Sequence, residues 1–264
     1  MTQPGSPNRD IELLGFQIGV EEKLLLRNRR SIIFTFLLPV AFLIFIGASN
    51  QSTHLGILGH EAFDVFFVPG ILAFGIVSAT YANLAIIIAV QREQGVLKRV
   101  RGTPLPPWMF FGGKIGSSLM NALAMVIVVL AVGWFGYHVH IRVATLPGLI
   151  LDLLVGTACW CMLGIAMSCF VNRAQGGAPI VTFPYIVLSF FSGVFYPSQA
   201  EPQWLQDLAR AFPLQPFARS MQAAFDPRVS GPGLRVLDLV IMAAWFLIGL
   251  GVALRFFRWD PKRS

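Results

Sequence analysis

Six apolar runs, each long enough to cross about 30 Å of hydrocarbon at about 1.5 Å per residue, divide the 264-residue chain almost end to end. They fall at roughly 31–49, 65–90, 108–135, 147–170, 178–195 and 235–255. A bilayer supplies no water to unpaired backbone groups, so such runs resolve as helices that satisfy their own hydrogen bonds. Composition agrees, because 55% hydrophobic and 12% charged residues with a mean hydropathy of +0.68 leave too little polar surface to cover a soluble globule. The expected fold class is all-α integral membrane, with six transmembrane helices in a single domain over 1–264.

The cations between these runs set the orientation. Arg9, Lys23, Arg27, Arg29 and Arg30 precede the first run, and Arg92, Lys98, Arg99 and Arg101 follow the second. Arg173 follows the fourth, and Arg255, Arg258, Lys262 and Arg263 close the chain. The opposite connectors hold none between 50 and 64, then Arg142, and then Arg210, Arg219 and Arg228 along a long loop. Retention of Lys and Arg on the inner side predicts that both termini are cytoplasmic. The net charge of +7 is accounted for by these connectors, so no nucleic-acid partner is expected.

Two connectors depart from simple loops. Residues 8–29 form no signal peptide, since a long charged stretch precedes the first run and no small-residue cleavage site closes it. Ile11, Leu14, Ile18 and Leu25 fall near one face, with Glu12, Glu21, Glu22 and Lys23 largely elsewhere, which predicts an amphipathic helix along the inner leaflet. The alternative is a helix packing on the protein's own loops. Residues 195–233, broken by Pro197, Pro202, Pro213, Pro216, Pro227 and Pro232, are too long for a turn and too interrupted to span. Short helices over 203–212 and 217–225, with Trp204 as an interfacial anchor, predict an embedded outer-face hairpin between the fifth and sixth spans.

Several chemistries are missing. No ionisable residue sits mid-span: Asp152 and Asp238 lie near outer ends and Lys114 near an inner end, against the relay an ion-coupled pump requires. Gly112-Gly113-Lys114-Ile115 has Trp108 where a phosphate loop needs its first Gly, and no Ser or Thr after Lys114. If ATP and Mg are used, a separate polypeptide must bind them, and no cofactor is expected on this chain. His54, His60, Glu61 and Asp64 cluster in the first outer loop, and His138 and His140 stand without acidic neighbours. Solvated loop polarity explains them without a metal. Ser192-Gly193 lacks the Gly two residues before it and a mid-span His base, so no catalytic residue is expected. Cys159, Cys161 and Cys169 lack metal-binding spacing and read as small buried apolar residues.

The segment 91–107 is the most specific feature. Arg92-Glu93-Gln94-Gly95-Val96-Leu97-Lys98-Arg99, Arg101 and Thr103-Pro104, together with Ser192-Gly193-Val194-Phe195-Tyr196-Pro197, Pro202-Gln203-Trp204-Leu205 and Pro213-Leu214, give a chain that resembles a membrane subunit of the ABC-2 family of ATP-binding-cassette exporters. Departures are modest: Gly102 stands where Ala is common, and Pro216 where a polar residue often follows the Pro-Leu pair. The resemblance implies a cytoplasmic coupling helix between the second and third spans, formed by Arg92, Glu93, Gly95, Lys98, Arg99, Arg101, Thr103 and Pro104. It also implies an outer hairpin marked by Tyr196, Pro197, Pro202, Trp204 and Pro213. By the same resemblance the partners are a nucleotide-binding ATPase and a second permease, like or unlike, in a bacterial plasma membrane.

The residues themselves support the elbow: Gly95 permits a tight entry, Pro104 stops the helix, and the cations lie outside the bilayer. Anchoring to anionic lipid headgroups is the alternative use of those cations. Thr182, Tyr185, Ser189 and Ser192 recur at helical spacing in the fifth run, and Ser78 and Tyr81, with Asn83 nearby, do something similar in the second. These stripes line a substrate path or serve helix packing. With no charge at depth, the expected cargo is hydrophobic or amphiphilic, a drug or a lipid-like or glycolipid-like conjugate. The competing functions are an ion-gradient-driven secondary carrier and an intramembrane enzyme.

Overall fold

The computed structural model describes residues 7–27, 29–52, 63–103, 105–137, 142–171, 176–195 and 202–259. Among them every regular element is a helix. In chain order these are α1 (Pro7–Arg27), α2 (Arg29–Ser52), α3 (Val68–Val77), α4 (Asn83–Glu93), α5 (Val96–Arg101) and α6 (Pro107–Tyr137). There follow α7 (Leu146–Ser168), α8 (Gly177–Phe191), α9 (Gln203–Ala211), α10 (Leu214–Phe225) and α11 (Val236–Phe256). Four helical stretches are long and apolar enough to cross a membrane: Val65–Glu93, Pro107–Tyr137, Val143–Ser168 and Val236–Phe256. The first and fifth expected spans coincide with shorter apolar stretches, Thr35–Ala48 and Gly177–Phe191.

The stretch Val65–Glu93 is the axis of the bundle. It is 78% buried within the chain, against 22% for Val236–Phe256, because α3 is apolar on every face and has neighbours all round. Helices α2, α6, α7 and α10 surround it. Ile71, Leu72, Ile76 and Val77 have no exposed surface. A π-helical turn, Ser78–Ala82, separates α3 from α4. The extra residue per turn shifts the register of the following side chains, and Thr80 donates its hydroxyl back to the Ile76 carbonyl at 2.7 Å. Tyr81 is thereby set edge-on to Trp160 of α7, at 5.8 Å between ring centroids.

The N-terminal helix α1 lies against α6. Lys114, near the start of α6, donates to both Glu21 carboxylate oxygens at 2.9 and 3.0 Å and sits 4.8 Å from the Phe110 ring centroid. Ser117 and Asn121 donate to Glu22 at 2.8 and 3.2 Å. The Gly112-Gly113-Lys114-Ile115 stretch is the seat for this contact: a Cβ on Gly113 would stand 2.4 Å from Gln17 Cγ. Of the face expected to enter lipid, Ile18 and Leu25 pack inward and Ile11 is exposed. Phe16 and Leu24 form a second apolar side, facing away from the protein.

The segment after α8 folds as a helical pair, α9 and α10, and α10 is tucked against α3, α7 and α11. Leu214, Phe217, Ala218 and Met221 are fully buried. Phe217 occupies space that a side chain at Gly156 would need, since a Cβ there would lie 2.2 Å from its ring. The pair is tied down by Gln222 Nε2 donating to the Gly193 carbonyl at 3.0 Å, by Thr145 donating to Ala224 at 2.7 Å, and by Trp245 donating to Ala211 at 2.7 Å. Arg142 closes the following loop on the Pro227 and Val229 carbonyls.

Candidate functional site

The basic segment forms a compact elbow between α4 and α6. Gln94 closes α4, and Gly95 takes φ 69° and ψ 12°, the left-handed region where a side chain is strained. That single residue turns the chain so that α5 runs off at a new angle. The amide of Arg99 donates to the Gly95 carbonyl at 3.2 Å, and Thr103 donates its hydroxyl to the Val100 carbonyl at 2.6 Å, which closes the far end. Lys98, Arg99, Arg101 and Thr103 are exposed, as is Glu93. Pro104 lies outside the described residues.

Leu97 is the anchor that residue-by-residue reading passed over. It is completely buried, in a cluster with Ile88 of α4, Phe110 of α6, Ile165 of α7 and Ala253 of α11. Its burial contributes about 1.5–3 kcal/mol and seats the cationic turn on the ends of four helices. The signal in the sequence was one Leu among cations. Phe257 and Trp259, just past α11, complete this base: the Phe111 and Phe257 rings meet at 5.0 Å, and Phe110 and Trp259 at 5.7 Å.

Arg92 stands apart from the other cations. It is buried, and its guanidinium donates to the Ser168 carbonyl and, at 2.7 Å, to the Val171 carbonyl. The Ser168 carbonyl closes α7, whose last turn leaves acceptors unpaired by its own backbone, and Val171 lies three residues past that end. A cation there also complements the negative end of the helix dipole. Arg92 therefore braces the elbow against α7 and presents no charge outward.

The polar stripes of the second and fifth runs meet only in part. Tyr81 and Tyr185 are edge-on at 6.1 Å, and Ser78 lies within hydrogen-bond reach of Tyr185. Thr182 and Ser189 instead donate to carbonyls of their own helix, Ala178 at 2.9 Å and Tyr185 at 2.6 Å. The buried Ser192 hydroxyl completes no hydrogen bond among the described residues. Asn83 faces elsewhere, lining a small polar cavity with Glu21, Lys114, Ser117, Ser118 and Asn121 at the α1–α6 contact. In the helical pair, Pro202 and Trp204 are exposed at the start of α9, and Pro213 is buried at the start of α10. Tyr196 and Pro197 lie outside the described residues, as do His54, His60, Glu61, His138 and His140. Among the described residues no group of three or more His, Cys, Asp or Glu side chains is placed to hold a metal.

Long apolar helices around a buried axial span, with a small cationic elbow at one end, define a multi-helix membrane protein. Residues 20–225 match the ABC-2 type transporter family, and the chain belongs to that family. It is similar to the transport permease YvfS of Bacillus subtilis (strain 168), 21% identical over 215 residues that cover 77% of this chain and 81% of that protein. The inner membrane transport permease YadH of Escherichia coli (strain K12) is 24% identical over 211 residues, covering 77% and 82%. The multidrug ABC transporter permease YbhR of the same strain is 25% identical over 186 residues, covering 69% of this chain and 48% of that protein. The protein is thus a membrane transport permease, of a family that generally partners with an ATPase subunit.

Proposed function

We propose that the chain is the membrane half of an ATP-driven exporter that moves a hydrophobic or amphiphilic compound out across a bacterial plasma membrane. The observation that carries this reading is the elbow itself, in which Lys98, Arg99 and Arg101 are exposed on a helix whose one fully buried residue is Leu97. A rigid cationic knob seated on several helix ends suits docking to an acidic groove on an ATPase, which binds ATP and Mg. Arg92 and Leu97 then pass its motion to α7, α6 and α11.

In this reading α2 and α8 complete six spans, both termini are cytoplasmic, α1 lies at the inner surface, and the α9–α10 pair is embedded in the outer leaflet. A second permease, identical or related, covers the exposed apolar sides of α2 and α8, where Leu37, Phe45, Ile180 and Phe183 stand outward. The relative YbhR is named as a multidrug permease, which supports an amphiphilic cargo.

The test is charge reversal at Lys98, Arg99 and Arg101 together, read as co-purification with its cognate ATPase and as ATP-driven export from vesicles. Loss of both is expected. Retained association with unchanged export would remove the coupling role and leave lipid anchoring as the use of these cations.

A secondary carrier is the second reading, favoured by one feature. Asp152 of α7 is fully buried, with Ser220 within hydrogen-bond reach and the Asp238 carboxylate beside it. Asp238 is paired with Arg235 at 2.7 Å, so Asp152 shares that cation's field without a direct ion pair to it. Transport by the purified chain in liposomes under an ion gradient, without ATPase, would establish this reading.

A further inference from the structure

Helix α10 carries one charged residue, Arg219, and every other residue of that helix except Gln222 is buried. Gln222 is committed to the Gly193 carbonyl. Arg219 is half-buried and makes no hydrogen bond or ion pair among the described residues. Arg235 and Arg210 repel it, and Asp238 attracts it. Both repelling cations have carboxylates of their own: Arg235 Nε meets Asp238 at 2.7 Å, and Arg210 Nη1 meets Asp207 at 3.2 Å. Asp152 stands behind on α7 and acts with Asp238 and Arg235. Two of the three cations are thus answered within the protein and the third is not. A guanidinium drawn partly out of water beside two like charges leaves its donors in an electropositive corner.

The corner lies at one boundary of the hydrocarbon. Arg235 immediately precedes Val236, where the span Val236–Phe256 begins. Ala253, about 26 Å further along that helix, packs with Leu97 of the elbow. The three cations therefore stand at the end of the bundle opposite the elbow, at the depth of lipid phosphates. Apolar surface borders them: α11 exposes Val236, Leu237 and Val240 directly after Arg235, and α9 exposes Trp204 and Leu208 before Arg210. A soluble anion would answer Arg219 and leave these side chains uncovered. A lipid answers both, with its phosphate on the guanidinium and its acyl chains on the apolar border.

We propose that Arg219, flanked by Arg210 and Arg235, binds the phosphate of an anionic phospholipid in the leaflet opposite the elbow. The guanidinium donates in parallel to two phosphate oxygens, a geometry that planar Arg supplies and Lys does not. One phosphodiester charge balances the one unanswered cation. An ammonium headgroup, as in phosphatidylethanolamine, would bring a fourth positive charge to the corner, so phosphatidylglycerol is the preferred occupant. Its phosphate holds α10 to α9 and α11, the helices that supply or adjoin the other two cations. The site needs neither ATPase nor cargo, so it stands or falls apart from the exporter reading.

The full chain, stripped of lipid in a neutral detergent, is titrated with phosphatidylglycerol, with phosphatidylethanolamine and with inorganic phosphate, and bound lipid is counted by native mass spectrometry. Phosphatidylglycerol is expected to fill one saturable position per chain, ahead of phosphatidylethanolamine, and to leave it as salt rises. Arg219→Gln should weaken that position by about tenfold, the loss of a charge-assisted contact. Arg219→Lys, which keeps the charge, should weaken it less, and carries the test should Arg219→Gln fail to fold. Arg255→Gln, at the other end of α11, should leave it unchanged. Without lipid, Arg219→Gln should melt no lower than the wild type, because it loses no partner within the protein. A clear drop in its melting temperature would assign Arg219 to internal packing and overturn the proposal. A first position as tight in both Arg219 variants as in the wild type is adventitious lipid only and overturns the site. Equal filling by the two lipids overturns the charge preference. Displacement by inorganic phosphate at matched concentration overturns the lipid as the source of the anion.

Discussion

Lys114 of α6 and Glu21 of α1 form an ion pair at 2.9 Å, with side chains 1% and 9% exposed. The pair fixes α1 to the helix that follows the elbow, 93 residues later in sequence. Opposite charges so far from water must keep each other, since removing one strands the other in a medium that solvates it poorly.

Breaking this pair from one side should therefore be costly. Lys114→Ala or Glu21→Ala is expected to destabilise the protein by about 3–5 kcal/mol, whereas Lys114→Met with Glu21→Leu should recover most of that loss. Thermal unfolding in detergent, run on both single variants and the double, checks the sign of the recovery.

Arg92 makes a different prediction from the cations that follow it. Arg92→Ala leaves the Ser168 and Val171 carbonyls without their donor, at roughly 1.5–3 kcal/mol, and should lower stability while leaving ATPase association intact. Charge reversal at Lys98 and Arg99 should do the reverse, with a defect in association that is largest at low salt and narrows as salt screens both the attraction and the new repulsion. Melting temperature and pull-down yield across a salt series separate the two.

Leu97→Ala should cost about 2–5 kcal/mol, the range for emptying a filled apolar site. Limited proteolysis should show its effect first at the elbow, because Leu97 is the one fully buried residue of α5. Leu97→Met, which nearly conserves volume, should lose less than about 1.5 kcal/mol.

Gly156→Ala places a methyl where the Phe217 ring now sits, 2.2 Å away, and should cost about 1–3 kcal/mol while loosening α10. Gly136→Ala, with nothing within 4 Å of the new methyl, is the matched control and should be neutral or slightly stabilising. Melting temperatures of the two variants give the contrast directly.

What the sequence determined by itself was the set of helices and their punctuation. The apolar runs and the Gly95 entry were legible because the demand of hydrocarbon on a backbone, and the demand of a left-handed turn on a side chain, are both local. The helical pair between 203 and 225 was legible for the same reason, from its prolines and short amphipathic runs. Only the tertiary structure decided which way the residues on those helices face. Arg92 reads like its cationic neighbours, yet it is turned inward by carbonyls at and just past the end of α7. Asn83 is near Tyr81 in the chain, yet it lines the cavity of Glu21 and Lys114, on the side away from Tyr185. Partners for a buried polar group come from segments distant in sequence, so no local pattern encodes them.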